Sequence, residues 1–239
     1  MPPRKSSRNV EMLGIVAKGL QGLKDEVVFV GGATIDLFIT DPAATGTRET
    51  DDVDCVIELV GKAKYYALEE RLRALGFRNP LDEEKPVLCR WKFCGIKVDV
   101  MPTDASVLGF SNRWYRDGMA HSEEFKLPNG ECVSVLSIPY LLASKLDAFH
   151  GRGLGDFMAS KDIEDIVALL DGCPDAEQKI SAAPANVRAY LGQEFKSLLA
   201  DKMFLTSLEG HLNSGSAVRE RLDRFLDIMR RLTAESDAQ

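Results

Sequence analysis

The residue types most able to do chemistry sit in two short stretches. The first is Thr50-Asp51-Asp52-Val53-Asp54-Cys55-Val56-Ile57, and the second is Ile96-Lys97-Val98-Asp99-Val100-Met101. Each has the alternation of a strand. In a strand, residues i and i+2 share a face. Thr50, Asp52 and Asp54 therefore stand on one side, with Val53, Cys55 and Ile57 on the other. Asp51 falls on the opposite parity and drops out. In the second stretch Ile96, Val98 and Val100 form an apolar face, and Lys97, Asp99 and Met101 form the other. Aspartate is a poor strand former, so two in three residues need a reason beyond solubility. Close carboxylates repel unless a cation lies between them. If the two strands are neighbours, Asp99 joins Asp52 and Asp54 in a set of oxygen ligands suited to Mg²⁺ or Mn²⁺.

Upstream, Val27-Val28-Phe29-Val30 reads as a buried strand ending in Gly31-Gly32, with a helix over 33–39. A strand, two glycines and a helix start can present bare N–H groups to a phosphate. The same pattern serves equally well as a tight strand-to-helix turn. It is neither the dinucleotide-binding fingerprint nor a P-loop.

Stepping outward from these residues, the chain has 239 residues, 45% hydrophobic and 28% charged. That is ordinary for a globular protein with a real core. The formal net charge of -7 argues against a surface that coats nucleic acid broadly, while leaving a local basic groove possible. Five scattered cysteines without a C-x-x-C pair fit reduced thiols rather than a disulfide framework or zinc site. No apolar run reaches the roughly 20 residues of a membrane span, and the basic start reads as a tail without a signal peptide. A cytoplasmic location is the expectation.

Periodicity predicts a helix over 8–23, with Val10, Leu13, Ile15, Val16 and Leu20 as its stripe, and a second over 62–75 with Tyr66, Leu72 and Leu75 on the apolar side. Cys94-Gly95 and Pro128-Asn129-Gly130 read as hairpin turns between strands at 87–93 and 96–101, and at 122–127 and 131–136. Residues 104–120 give no clear pattern. After Ser137 the chain reads as helical: 139–150, then 160–170 capped by Ser160, then segments near 185–208 and 216–233 separated by Asn213-Ser214-Gly215. The fold class expected is α+β, with a mixed sheet and flanking helices over residues 1–137 and a helical region over 138–239.

Gly31-Gly32, then Arg48-x-Thr50-x-Asp52-Val53-Asp54, then Asp99 resembles the nucleotidyltransferase superfamily of polymerase β type. Pro139-Tyr140-Leu141-Leu142-Ala143-Ser144-Lys145, followed by Lys161-Asp162, narrows the resemblance to the AbiEii/AbiGii toxin-type nucleotidyltransferases. It covers about residues 26–172. Family members usually carry a serine or threonine after the glycines; here Ala33 stands there, and Thr34 is the nearest hydroxyl. The resemblance implies that Asp52, Asp54 and Asp99 bind metal, with Asp99 also acting on the attacking hydroxyl. It further implies that Gly31, Gly32, Thr34 and Arg48 lie at the nucleotide, and that Lys145 and Asp162 contribute to nucleotide contact and activity. The implied reaction moves an NMP from an NTP to an acceptor hydroxyl on RNA (a tRNA end included) or protein, in a toxin–antitoxin or phage-defence setting with an antitoxin partner. Two other readings stand beside it: a small-molecule, aminoglycoside-like acceptor, which the acidic charge favours, and a non-catalytic nucleotide-binding module. Outside that resemblance, Lys145 reads as a snorkelling helix residue and Asp162 as a first-turn dipole charge. Arg152 reads as a basic spot in a glycine-rich connection.

Overall fold

The computed structural model describes residues 7–44, 46–80, 87–152, 155–212 and 218–237. The start of the expected N-terminal tail, residues 81–86 of the charged, turn-rich stretch expected over 77–86, Gly153-Leu154 and Asn213-Ser214-Gly215 lie outside the described residues. The chain divides into two compact units. One comprises Met1–Leu37 and Arg48–Ser137, the other Phe38–Thr47 and Ile138–Gln239.

The first unit is built on a six-stranded mixed sheet. Its strands are β1 (Val27–Val30), β2 (Asp52–Ile57), β3 (Arg90–Phe93), β4 (Ile96–Pro102), β5 (Ser122–Lys126) and β6 (Cys132–Leu136), in spatial order β3-β4-β2-β1-β6-β5. β2 runs antiparallel to β1 and parallel to β4, while β1 runs parallel to β6. Its helices are α1 (Arg8–Leu20), α2 (Lys62–Ala74), α3 (Ala105–Leu108) and α4 (Tyr115–Ala120). The last two occupy the stretch whose sequence gave no clear period.

The sheet has two chemically distinct faces. Trp91, Val98, Val53, Cys55 and Phe29 share one by register and parity, and all five are fully buried. Helices α1 and α2 lie on this side. A Cβ at Gly19 of α1 would strike the Phe93 ring, and the Arg73 guanidinium of α2 lies over Trp91 at 5.6 Å. Leu13, Val16, Ala17 and Leu20 of α1, with Tyr65, Leu68 and Leu72 of α2, supply the rest of this core. The other face carries the charged side chains of β2, β3 and β4.

Both hairpin turns form as expected. Cys94 and Gly95 both take positive φ, +48° and +81°, the backbone of a two-residue turn that matches strand twist. Leu13, Val16 and Leu20 of the α1 stripe and Leu72 of the α2 stripe are buried as expected, whereas Ile15 is 43% and Tyr66 62% exposed; Met12, Tyr65 and Leu68 are covered in addition. The turn after Gly31 is a six-residue 3-10 segment, Gly32–Leu37, rather than an α-helix.

The second unit is helical: α5 (Ile138–Arg152), α6 (Lys161–Gly172), α7 (Ala176–Ser181), α8 (Ala185–Ala200), α9 (Lys202–His211) and α10 (Val218–Asp237). Ser160 caps α6 as expected, accepting from Ile163 N. The single helix read over 185–208 is two, because the Asp201 carboxylate accepts from Met203 N and Phe204 N and starts a new helix there. Phe149, Phe157 and Phe204 form an aromatic run in this core, at 5.1 and 5.6 Å between ring centres. Among the described residues no helix is long and apolar enough to cross a membrane.

Asp171, at the end of α6, is 3% exposed and accepts from Arg221 and Arg224 of α10. Both arginines also reach Asp41 at 3.4 Å. Removing this buried carboxylate leaves partly buried Arg221 with only its longer Asp41 contact and orphans the Arg224 bonds to Asp171. Asp171→Ala should therefore lower stability by about 3 kcal/mol in urea unfolding. Asp227→Ala, which removes an exposed 2.9 Å pair with Arg230, should change it by less than about 1 kcal/mol.

Candidate active site

The register of three strands brings the carboxylates of the first unit together. Asp54 pairs directly with Asp99 across β2 and β4, and Asp52 pairs with Lys97. Residues paired this way point to the same face, so the parity expected from the sequence is the one observed. On the far side of β2, Asp54 pairs with Val30 of β1. The glycine turn thus begins one residue from the carboxylate row.

Gly31 fits that position for a specific reason. Its φ is +77°, and a Cβ built there would collide with the Asp54 carboxylate, Oδ2 being the nearest atom. Absence of a side chain lets the Asp54 carboxylate lie against the turn itself. Gly32 begins the 3-10 segment, and Thr34, fully buried, donates its hydroxyl to Gly31 O at 2.8 Å. The Thr34 hydroxyl thus closes the turn from within.

The lead-in to β2 is clamped by a residue that no sequence motif singles out. Asn9 of α1 is 2% exposed; its Nδ2 donates to Arg48 O at 3.0 Å, and its Oδ1 accepts from Thr50 N at 3.1 Å. Thr50 Oγ1 in turn donates to Asp52 Oδ1 at 2.5 Å. Arg48 is therefore placed in this lead-in through its backbone. Asp51, on the other parity, turns outward and pairs with Arg8 at 3.1 Å.

A second unanticipated residue is Arg90. It stands opposite Asp99 on β3 and binds it at both oxygens, Nε to Oδ1 at 2.9 Å and Nη2 to Oδ2 at 2.8 Å. Two carboxylates side by side on adjacent strands are unfavourable; the guanidinium supplies the positive charge on one side of the pair. Arg90, Asp99, Asp54 and Val30 thus form one row across four strands.

The surrounding donors are oxygens. Burial, with Asp99 next, pushes the Cys89 thiol up to about 12, and burial followed by Asp54 and Asp99 raises that of Cys55 still further. Neither is a thiolate ligand near neutral pH. Among the described residues, no group of three His, Cys, Asp or Glu side chains stands ready to hold a metal ion. Mg²⁺ usually takes one or two carboxylates and completes its shell with water and substrate phosphate, and the Asp54–Asp99 pair fits that mode. A cleft of about 490 Å³ opens at this end of the sheet, lined by Arg8, Met12, Ile15, Asp51, Cys94 and Lys97 among others, and contains none of the three carboxylates.

The other two sequence candidates lie in the second unit. Lys145 of α5 is 7% exposed, with Nζ 2.7 Å from Asp165 Oδ2 and 3.3 Å from Asp162 Oδ1. Arg152 also donates to Asp162, at 3.1 and 3.2 Å. Lys145 and Asp162 are thus brought together, with buried Asp165 and, from the exposed side, Arg152 completing a network of two cations and two carboxylates. Asp165 lies three residues after Asp162 on the same helix face, a spacing visible in the sequence but unremarkable without Lys145 between them.

No protein-family model matches the chain, and no curated protein does. Among solved structures, it is similar to the antibiotic-resistance factor ANT(2'')-Ia in solution, at 16% identity and a TM-score of 0.50, over 82% of this chain and 97% of that one. It is also similar to JHP933 from Helicobacter pylori (14%, 0.48, 98% and 96%) and to a candidate nucleotidyltransferase from H. pylori (14%, 0.49, 99% and 98%). What the likeness shows is the fold: a mixed sheet with a helical C-terminal region, nucleotidyltransferase-like in architecture.

Gly31→Ala should separate backbone strain from displacement of Asp54. Gly109 also has positive φ, +84°, but open space where a Cβ would go. Gly109→Ala should cost about 1–2 kcal/mol in thermal unfolding. Gly31→Ala should cost clearly more, and equal losses would mean that the Asp54 carboxylate does not depend on the bare turn.

Proposed function

We propose that the protein is a nucleotidyltransferase, moving an NMP from an NTP to an acceptor hydroxyl with release of pyrophosphate. The observation that carries this is the Asp54–Asp99 register pair set against Gly31. The pair offers oxygen ligands for a divalent cation beside a bare backbone turn that can receive phosphate. Asp52, Asp54 and Asp99 are the residues that would hold Mg²⁺ or Mn²⁺, which when bound offsets phosphate charge and favours ionisation of the attacking hydroxyl.

The chain's own groups divide the work. Gly31 and Gly32 offer space and N–H groups to the leaving phosphates, with Thr34 and Asn9 holding the turn and the β2 lead-in in place. The acceptor oxygen bonds to the α-phosphorus, and the bond from that phosphorus to the bridging oxygen breaks. Pyrophosphate leaves with the electron pair, and the hydroxyl proton passes to the Asp99 carboxylate and then to water. Arg90 keeps both Asp99 oxygens oriented, and is a positioning residue on this reading. Lys145 and Asp162 serve through the ion-pair network that they form with buried Asp165 and exposed Arg152, holding α5 against α6.

The resemblance to AbiEii/AbiGii proteins supports RNA, tRNA or protein as acceptor and a toxin role with an antitoxin partner. The fold likeness to ANT(2'')-Ia, an antibiotic-resistance factor, favours a second reading in which the acceptor is a small molecule such as an aminoglycoside.

The test is incubation with each α-labelled NTP and Mg²⁺ against separate pools of RNA, protein and aminoglycosides. Label should reach one pool with the wild type, and Asp54→Asn should reduce transfer by about a hundredfold or more. Label in no pool, or an undiminished Asp54→Asn, would overturn the assignment.

A further inference from the structure

Arg90 occupies the same oxygens that a cation at Asp99 would use. Its Nε lies 2.9 Å from Oδ1 and its Nη2 2.8 Å from Oδ2, so each Asp99 oxygen carries a guanidinium N–H. The pair is largely withdrawn from water, its side chains 21% and 12% exposed. Two-point guanidinium–carboxylate contacts are among the stronger charge-assisted hydrogen bonds, and burial reduces their screening.

The backbone of β3 is tied on both edges. On the β4 side Arg90 stands in register with Asp99, and Val100 N donates to Cys89 O at 2.9 Å. On the outer side Arg78 and Lys92 exchange both backbone bonds, at 3.0 and 2.7 Å, and Arg90 N donates to Val87 O at 2.9 Å. Release of Asp99 therefore falls to the Arg90 side chain, not to a shift of its strand.

A divalent cation bonded to a carboxylate oxygen at about 2.1 Å lies within about 5 Å of any nitrogen that donates to the same oxygen. Positive charges that close, outside bulk water, repel by several times the thermal energy. The two bonds that orient Asp99 in the metal-free protein therefore also oppose a cation there.

We infer that Arg90 competes with the divalent cation for Asp99: the cation binds as the guanidinium gives up one of its two bonds, and Arg90 thereby sets the metal affinity of the site. This rests on the metal site proposed above and adds a built-in rival for it. Orientation alone and competition predict opposite signs. Removing a group that only orients a metal ligand weakens metal binding, typically by about 10–100-fold. Removing a competitor tightens it.

The test is Mn²⁺ affinity without nucleotide, read from the paramagnetic resonance signal of free Mn²⁺, in wild type, Arg90→Gln, Arg90→Lys and Arg71→Gln. Arg71 pairs with Glu26 on the exposed surface, so its variant controls for the loss of one cation. Arg90→Gln should bind Mn²⁺ about tenfold or more tighter than the wild type, and Arg90→Lys tighter by less. Arg71→Gln should stay within about twofold of the wild type, because exposed charges are screened. Thermal unfolding gives a second readout. In EDTA, Arg90→Gln should melt below the wild type, and saturating Mn²⁺ should raise its melting temperature by more than it raises that of the wild type. An affinity no tighter than wild type in Arg90→Gln, or in Arg90→Lys where the glutamine variant does not fold, would overturn the competition. So would an equal gain in Arg71→Gln. Loss of Mn²⁺ binding in Asp54→Asn beside such a result would leave the metal site standing. No Mn²⁺ binding by any of these proteins would remove the site and the competition together.

Discussion

The structure of the first unit turns on the repulsion between Asp54 and Asp99. Register sets them side by side on β2 and β4, an arrangement that needs positive charge to persist. Arg90 supplies it from the β3 side with a two-point contact at 2.9 and 2.8 Å. From the β1 side the requirement is steric: Gly31 leaves the space that the Asp54 carboxylate fills. Asn9 and Thr50 then hold the approach to Asp52 through a chain of three hydrogen bonds. The opposite face of the same strands is wholly apolar, and its burial under α1 and α2 fixes the register that places the charges. A one-residue slip of β4 would bring Val98 or Val100 to the position of Asp99 and turn a charged side chain into the core.

The two units meet the same electrostatic problem in different ways. In the second, Lys145 lies between Asp162 and Asp165, and Asp171 lies between two arginines. These buried sets match cation to carboxylate, and they serve to lock helices together. In the first unit Arg90 instead binds one carboxylate, Asp99, at both oxygens, while Asp54 stands beside Asp99 against the glycine turn.

Much of this was legible from the sequence because strand parity is a local property. The common face of Asp52 and Asp54, the exclusion of Asp51, the grouping with Asp99 and both hairpin turns follow from period-two alternation and turn chemistry. Arg90 and Asn9 were not legible, since each depends on which residue stands across from it on another strand or helix. Arg90 alternates with Trp91 in the sequence, which reveals its face but not its partner. The departures at Ile15 of α1 and Tyr66 of α2 have a related cause. Several apolar residues compete for a helical face, and a contact distant in sequence decides between them: Tyr65 turns inward and donates its hydroxyl to Leu88 O at 3.1 Å, while Tyr66 stays exposed. Asp201 carried a readable capping signal that the apolar period around it masked.

The central claim is that Asp54 and Asp99 jointly create a divalent-cation site at the glycine turn. Electron paramagnetic resonance of Mn²⁺, titrated into the protein with a non-hydrolysable NTP analogue, measures it directly. Bound Mn²⁺ should be present in the wild type and should weaken by about tenfold or more in both Asp54→Asn and Asp99→Asn, with far-ultraviolet circular dichroism unchanged. Equal Mn²⁺ binding in the wild type and the two variants would contradict the account.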